Sequence, residues 1–160
     1  MDETNDRDAS LREHLLYLLR GGGAHAGFDD VVKDYPVGLV GRRVGGVPYT
    51  PWQVLEHMRI AQWDILEFSR DVAHESPKWP EGYWSKDAGD AERWRETAEA
   101  FHKDLEAMCA LVEDSANDLY ARIPHGGGQT LLREALLVAD HNAYHLGVLV
   151  ALRRALEGRG

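Results

Sequence analysis

QTLLREALLVADHNAYHLGVLVALRRAL, residues 129–156, decides the fold class. Leu131, Ala135, Val138, Asn142, His145, Leu149, Leu152 and Leu156 recur at steps of three and four, the period of one face of an α-helix. Such a stripe marks an amphipathic helix with one buried face. The stripe also carries Asn142 and His145 among its aliphatic members, so it turns polar groups inward.

Working outward, the same period returns in three other segments. Leu11, Leu15 and Leu18 keep it near the N-terminus, Val54, Met58, Ala61, Ile65, Phe68 and Val72 in the next long segment, and Trp94, Ala98, Phe101, Leu105, Met108 and Val112 in the third. Interruptions at Gly21 to Gly23, Pro36 to Pro51, Pro77 to Gly89 and Pro124 to Gly128 separate them. Thr50-Pro51 places a capping hydroxyl before a first-turn proline, and Asp90 with Glu92 sets anions at the next helix start. Segments near 50–74, 90–121 and 129–156 would run roughly 35–48 Å at 1.5 Å per residue. With the N-terminal helix they make a four-helix bundle with long crossover loops, and a short additional helix is expected near 24–34. No alternating β-branched run competes, so the class is all-α. Only residues 1–8 are expected to be disordered.

A chain of 160 residues suits one domain, 1–160, and can bury about 70% of its unfolded surface. Cys109 has no internal disulfide partner and sits among Met108, Leu111 and Val112, as a small apolar core residue would. The first thirty residues carry no secretory signal, because the apolar run Leu15 to Leu19 is too short, so a cytoplasmic protein without a membrane partner is expected. The net charge of −9 opposes a phosphate backbone and argues against nucleic acid as a partner.

Chemistry concentrates in histidines. His141 and His145 are four apart, so on a helix both rings project from one face and can reach one cation. Val138, Val148 and Leu152 share that face, which turns the rings toward the core. His57 is flanked at helical spacing by Val54, Met58, Ala61 and Ile65, so it too points inward, with Asp64 two turns on. A buried polar group without a partner costs roughly 1–3 kcal/mol, and one shared divalent ion would satisfy all three rings. Taken singly, each ring also fits as a core histidine bonded to a backbone carbonyl or to Tyr144 or Tyr120. His14 and His102 lie beside apolar positions and could approach the interior, His25 could border a pocket mouth, and His74 and His125 fall where solvent is the default. Asp64 and Asp140 are possible acceptors for ring N–H groups, whereas Glu56 reads as solvated. The five tryptophans read as core before they read as pocket lining.

PYTPWQVLEHMRIAQWDILEFSRD at 48–71 and DHNAYHLGVLVALRR at 140–154, with AHAGFDDVVKDYP at 24–36 between the first two helices, resemble the DinB/YfiT-like superfamily. This is the damage-inducible helical-bundle family and not the polymerase of the same name. The resemblance implies a four-helix bundle with long crossovers, often a homodimer, that holds zinc, nickel or a similar divalent transition metal. Carried over residue by residue, it implies the ligand triad His57, His141 and His145. It implies a small-molecule substrate, since some relatives transfer low-molecular-weight thiols to electrophiles and others isomerise maleylpyruvate with a thiol cofactor.

Three neutral imidazoles leave an ion's charge uncompensated and coordination positions open, as catalytic sites require. The expected function is therefore a metal-dependent transferase or hydrolase acting on a small molecule, and the resemblance puts thiol transfer ahead of hydrolysis. Asp64, Asn142 and Tyr144 lie near enough in register to assist, and no residue is singled out as acid or base. A non-catalytic stress-response or ligand-binding bundle with a structural or incidental metal is the alternative, and a metal-free dimer a third.

Overall fold

The structure is a computed structural model that describes residues 3–158. Five α-helices follow one another: α1 (Glu3–Leu19), α2 (Phe28–Val32), α3 (Pro51–Arg70), α4 (Ala91–Glu113) and α5 (Leu131–Leu156). Among the described residues there is no strand, only an isolated bridge between Arg122 and Thr130, so the chain is all-α as its periodicity requires. α3 packs on α4 and α5, α1 closes the bundle against the same two helices, and the short α2 rests on α5.

The long helices begin where their caps say they should. The Thr50 hydroxyl accepts from the Gln53 N–H at 3.1 Å, and the Gln53 side-chain oxygen accepts from the Thr50 N–H at 3.0 Å, a reciprocal box ahead of Pro51. Asp90 and Thr130 accept in the same way from Arg93 and Arg133. Each such cap stabilises its helix by about 1 kcal/mol.

The helix ends are less legible. α3 stops at Arg70 because Asp71 turns extended, four residues before the expected end near 74. α4 stops at Glu113 rather than near 121, because the carboxylates of Asp114 and Asp118 take the N–H groups of Ala116 and Tyr120 and so offer the backbone turns in place of helix. The short helix occupies only Phe28–Val32 of the expected 24–34. The N-terminus differs in the opposite direction, since α1 is already helical at Glu3, within the stretch expected to be disordered. Asp8 pairs with Arg12 one turn on at 2.6 Å, and Arg12 in turn donates to the carbonyl oxygens of Val112, Asp114 and Asn117. That buried guanidinium ties α1 to the end of α4, which gives the N-terminal helix a tertiary anchor.

The core runs along the bundle from Leu15 and Leu19 through Leu55, Met58 and Leu66 to Phe101, Met108, Leu149 and Leu152, all buried. Phe28 and Phe101 stack with ring centroids 4.1 Å apart, which seats α2 against α4. Cys109 is buried and its thiol is pushed up to about 11 by desolvation, as expected of a packing residue. α5 is long and apolar enough to cross a membrane by length and composition. Its buried stripe is nevertheless used within the bundle, and Asp140, His141 and His145 fall midway along the helix, where ionisable groups are costly in a bilayer.

Candidate metal centre

His57 lies two turns into α3, on the face that meets α5, and is 4% exposed. His141 and His145 project from the facing turns of α5 and are half-buried. The three rings converge: one nitrogen from each lies within 4.8 Å of the other two. His57 Nε2 and His141 Nε2 are 3.1 Å apart. The centroids of His57 and His145 are 4.7 Å apart, and those of His141 and His145 4.4 Å. The residues that the sequence singled out on two separate helices thus meet at one point between them.

The loop after α3 fixes the first ring. His57 Nδ1 donates to the carbonyl oxygen of Tyr83 at 3.0 Å, which leaves a lone pair on Nε2, the nitrogen that faces His141. Trp84 lies flat on the His57 ring, 3.9 Å between centroids and 3° from parallel, and Tyr49 stacks on the far side of Trp84 at 3.8 Å. Tyr144 stands edge-on to His145 at 4.9 Å and is largely exposed.

Electrostatics keep the rings neutral. Among the described residues no carboxylate bonds to any of the three. Desolvation lowers His57, drives His141 down to about 4 and His145 down to about 3, and a charge on one ring would further disfavour a charge on its neighbours. Unprotonated nitrogens aimed at a common point are what a transition metal requires. The His57–His141 nitrogen pair at 3.1 Å is also close to the separation of about 3.4 Å that two imidazoles sharing a tetrahedral ion at 2.0–2.1 Å would have. This three-histidine group could hold a divalent metal.

A second polar cluster lies one loop away. Asp64 accepts from the Tyr83 hydroxyl at 2.6 Å and pairs with His74 Nε2 at 2.7 Å, while Trp63 meets His74 edge-on. Tyr83 therefore holds Asp64 through its side chain and His57 through its backbone. Desolvation and the bond to Asp64 raise the Tyr83 phenol above its ordinary range, so it stays a donor. His74 is buried in this cluster rather than in solvent, and His125 Nε2 bonds to the Phe68 carbonyl at 2.7 Å. Glu56 is not free either: Arg59 grips it with two hydrogen bonds and Thr97 donates to it at 3.2 Å. His14 and His102 are exposed and take no part, and Tyr120 lies exposed and away from the three rings' hydrogen bonds. Trp52 and Trp94 are core, as expected, whereas Trp84 is site wall and Trp79 is exposed. Tyr83 and Trp84 carried no sequence signal beyond an aromatic pair in a loop, because they reach His57 through tertiary contact and not through helical register.

A bundle that crosses over between its second and last long helices to bring one histidine against an i,i+4 pair defines a helical three-histidine scaffold. The sequence model of the DinB superfamily matches residues 22–149, and the chain belongs to that superfamily. No curated protein and no solved structure matches the chain.

Proposed function

We propose that the chain is a metal-dependent enzyme that acts on a small molecule, with His57, His141 and His145 as ligands of one divalent transition metal, zinc or nickel. The observation that carries this reading is the convergence of three neutral ring nitrogens within 4.8 Å, without a bonded carboxylate. Three neutral ligands leave the ion cationic with positions for an exogenous group, which a closed structural site lacks. A bound ion would supply Lewis acidity, enough to ionise a coordinated thiol or water near neutral pH.

The chain's own residues supply orientation and access. The Tyr83 carbonyl fixes the tautomer and plane of His57, and Trp84 with Tyr49 closes that side to water. His141 and His145 remain partly exposed next to the exposed Tyr144, and a substrate would approach from there. We place transfer of a low-molecular-weight thiol to an electrophile first and hydrolysis second. In the transfer, the thiol would give its proton to solvent, a sulfur–carbon bond would form as the bond from that carbon to the leaving group breaks, and the leaving group would depart with the electron pair.

Elemental analysis of protein purified without a nickel column tests the site. Near one equivalent of a transition metal is expected in the wild type and little in His57→Ala or His145→Ala. No metal in any sample, even after zinc or nickel is added, would end the metalloenzyme reading. A loaded site justifies assaying thiol consumption against an electrophile, with hydrolysis of an activated ester as the contrasting assay.

A further inference from the structure

Two buried amides bridge α3 and α5. Gln62, on α3, is 1% exposed, and Asn142, on α5, is 8% exposed. Asn142 Nδ2 donates to Gln62 Oε1 at 2.9 Å, and Gln62 Nε2 donates to the Phe101 carbonyl of α4 at 2.8 Å. This chain has one self-consistent direction. A carbonyl can only accept, so Gln62 turns Nε2 to Phe101 and Oε1 to Asn142, and Asn142 must answer with Nδ2. Asn142 Oδ1 is left over: it is buried and has no hydrogen-bond partner among the described residues. An amide oxygen in that state is a net cost to the fold, and a pair of aliphatic side chains of similar shape would avoid it.

The bridge joins the two helices that must meet for the metal centre to form. Gln62 follows His57 by five residues, about 7.5 Å along α3, and Asn142 is the chain neighbour of His141. Aliphatic packing holds two helices together yet fixes their register loosely, since a core of the right volume folds even without close complementarity. A hydrogen bond is confined to a donor–acceptor separation of about 2.7–3.2 Å, and metal ligation needs distances held to about 0.2 Å. Register is also the best-attested use of a polar group buried at a cost in stability.

We propose that Gln62 and Asn142 are positioning residues of the metal centre: their hydrogen bond locks α3 against α5 in the register at which His57 meets His141 and His145. The inference rests on the reading of the three histidines as metal ligands. The unpaired Oδ1 is then the cost of a bridge that serves the site and not the stability of the bundle. Phe101 extends the lock to α4, because its carbonyl holds Gln62 in the rotamer that reaches Asn142.

The double variant Gln62→Met/Asn142→Leu tests this, because it replaces the whole amide chain with apolar side chains of similar shape. The Phe101 carbonyl lies inside α4 and keeps its helical partner. Melting temperature in chelator and zinc affinity by competition with a chromophoric chelator would both be measured on the full chain. A split is expected: a melting temperature equal to or above that of the wild type, with zinc bound about 10- to 100-fold more weakly, the range for residues that support a metal ligand. Cobalt(II) in place of zinc should show an altered visible spectrum, which a change in stability alone would not produce. Asn142→Ser is an independent arm, because its hydroxyl can bond within its own helix and is too short to span to Gln62. It should weaken zinc binding in the same sense, and it decides the matter if the double variant does not fold. Zinc held as tightly as in the wild type by either folded variant overturns the proposal, as does weaker binding by the double variant only in step with a lower melting temperature. A wild type that takes up no zinc overturns the metal reading itself, and this proposal with it.

Discussion

Two polar clusters, one with a single histidine and one with three, sit about a loop apart and are built on opposite principles. The His74 side chain is packed against the Asp64 carboxylate at 2.7 Å, which occupies its Nε2. His57, His141 and His145 are gathered with one another and a backbone carbonyl, with no bonded carboxylate. The first arrangement spends its histidine on a structural pair. The second keeps three lone pairs available. What separates a structural histidine from a candidate ligand in this bundle is thus the company it keeps and not its depth, since His74 and His57 are both well buried.

The largest test of that contrast is acid. The ordinary pKa of histidine is about 6.5, and in the folded chain all three clustered rings lie below it, with His141 about 4 and His145 about 3. Above pH 6.5 the rings are neutral in both folded and unfolded chains and cost nothing. As pH falls below that value, the unfolded chain takes up protons that the folded one refuses, so stability is lost progressively down to pH 3–4. Melting temperature measured in chelator should fall through this window, and the His141→Gln/His145→Gln double variant should show a flatter profile. An unchanged slope would mean that the rings are not desolvated as described.

Next in size is the response to metal. At free zinc a hundredfold above its dissociation constant, binding to the folded state alone adds about 2.7 kcal/mol. Differential scanning calorimetry with zinc and with chelator should show that increment in the wild type and in His74→Ala, but not in His57→Ala. Loss of the increment in His74→Ala would merge the two clusters into one functional unit and break the contrast.

The smallest effect sharpens it. Tyr83→Phe removes the hydroxyl from Asp64 and keeps the carbonyl on His57, and should cost about 1 kcal/mol in urea unfolding while zinc affinity stays the same. A drop in zinc affinity would instead place Asp64 in control of the His57 ring through the Tyr83 backbone.

Much of the bundle could be read from periodicity, because burial of one helical face imposes it locally on Leu131 through Leu156 and on Val54 through Phe68. The i,i+4 pair His141 and His145 was legible for the same reason, and the inward aim of His57 followed from its apolar neighbours. Their meeting was legible only through the family resemblance, since helical register fixes a direction and leaves the distance between helices open. The roles of Tyr83, Trp84 and His74 escaped because all three lie in the stretch between α3 and α4, where nothing repeats and each contact is set by how the loop folds back. The tie of Glu56 to Arg59 and Thr97 escaped likewise, through a partner on another helix.

The first turn of α3 is fastened to that same loop. The Thr50 hydroxyl donates to the Ala88 carbonyl at 2.7 Å, Gln53 Nε2 donates to the Ser85 carbonyl at 2.9 Å, and Gly89, at φ +84°, lets the backbone pass so close to Trp52 that a methyl group would overlap the ring. The helix that carries His57 and the segment that carries Trp84 consequently move as one piece. An ion arriving here would meet donors already assembled, so little conformational entropy would remain to be lost on capture.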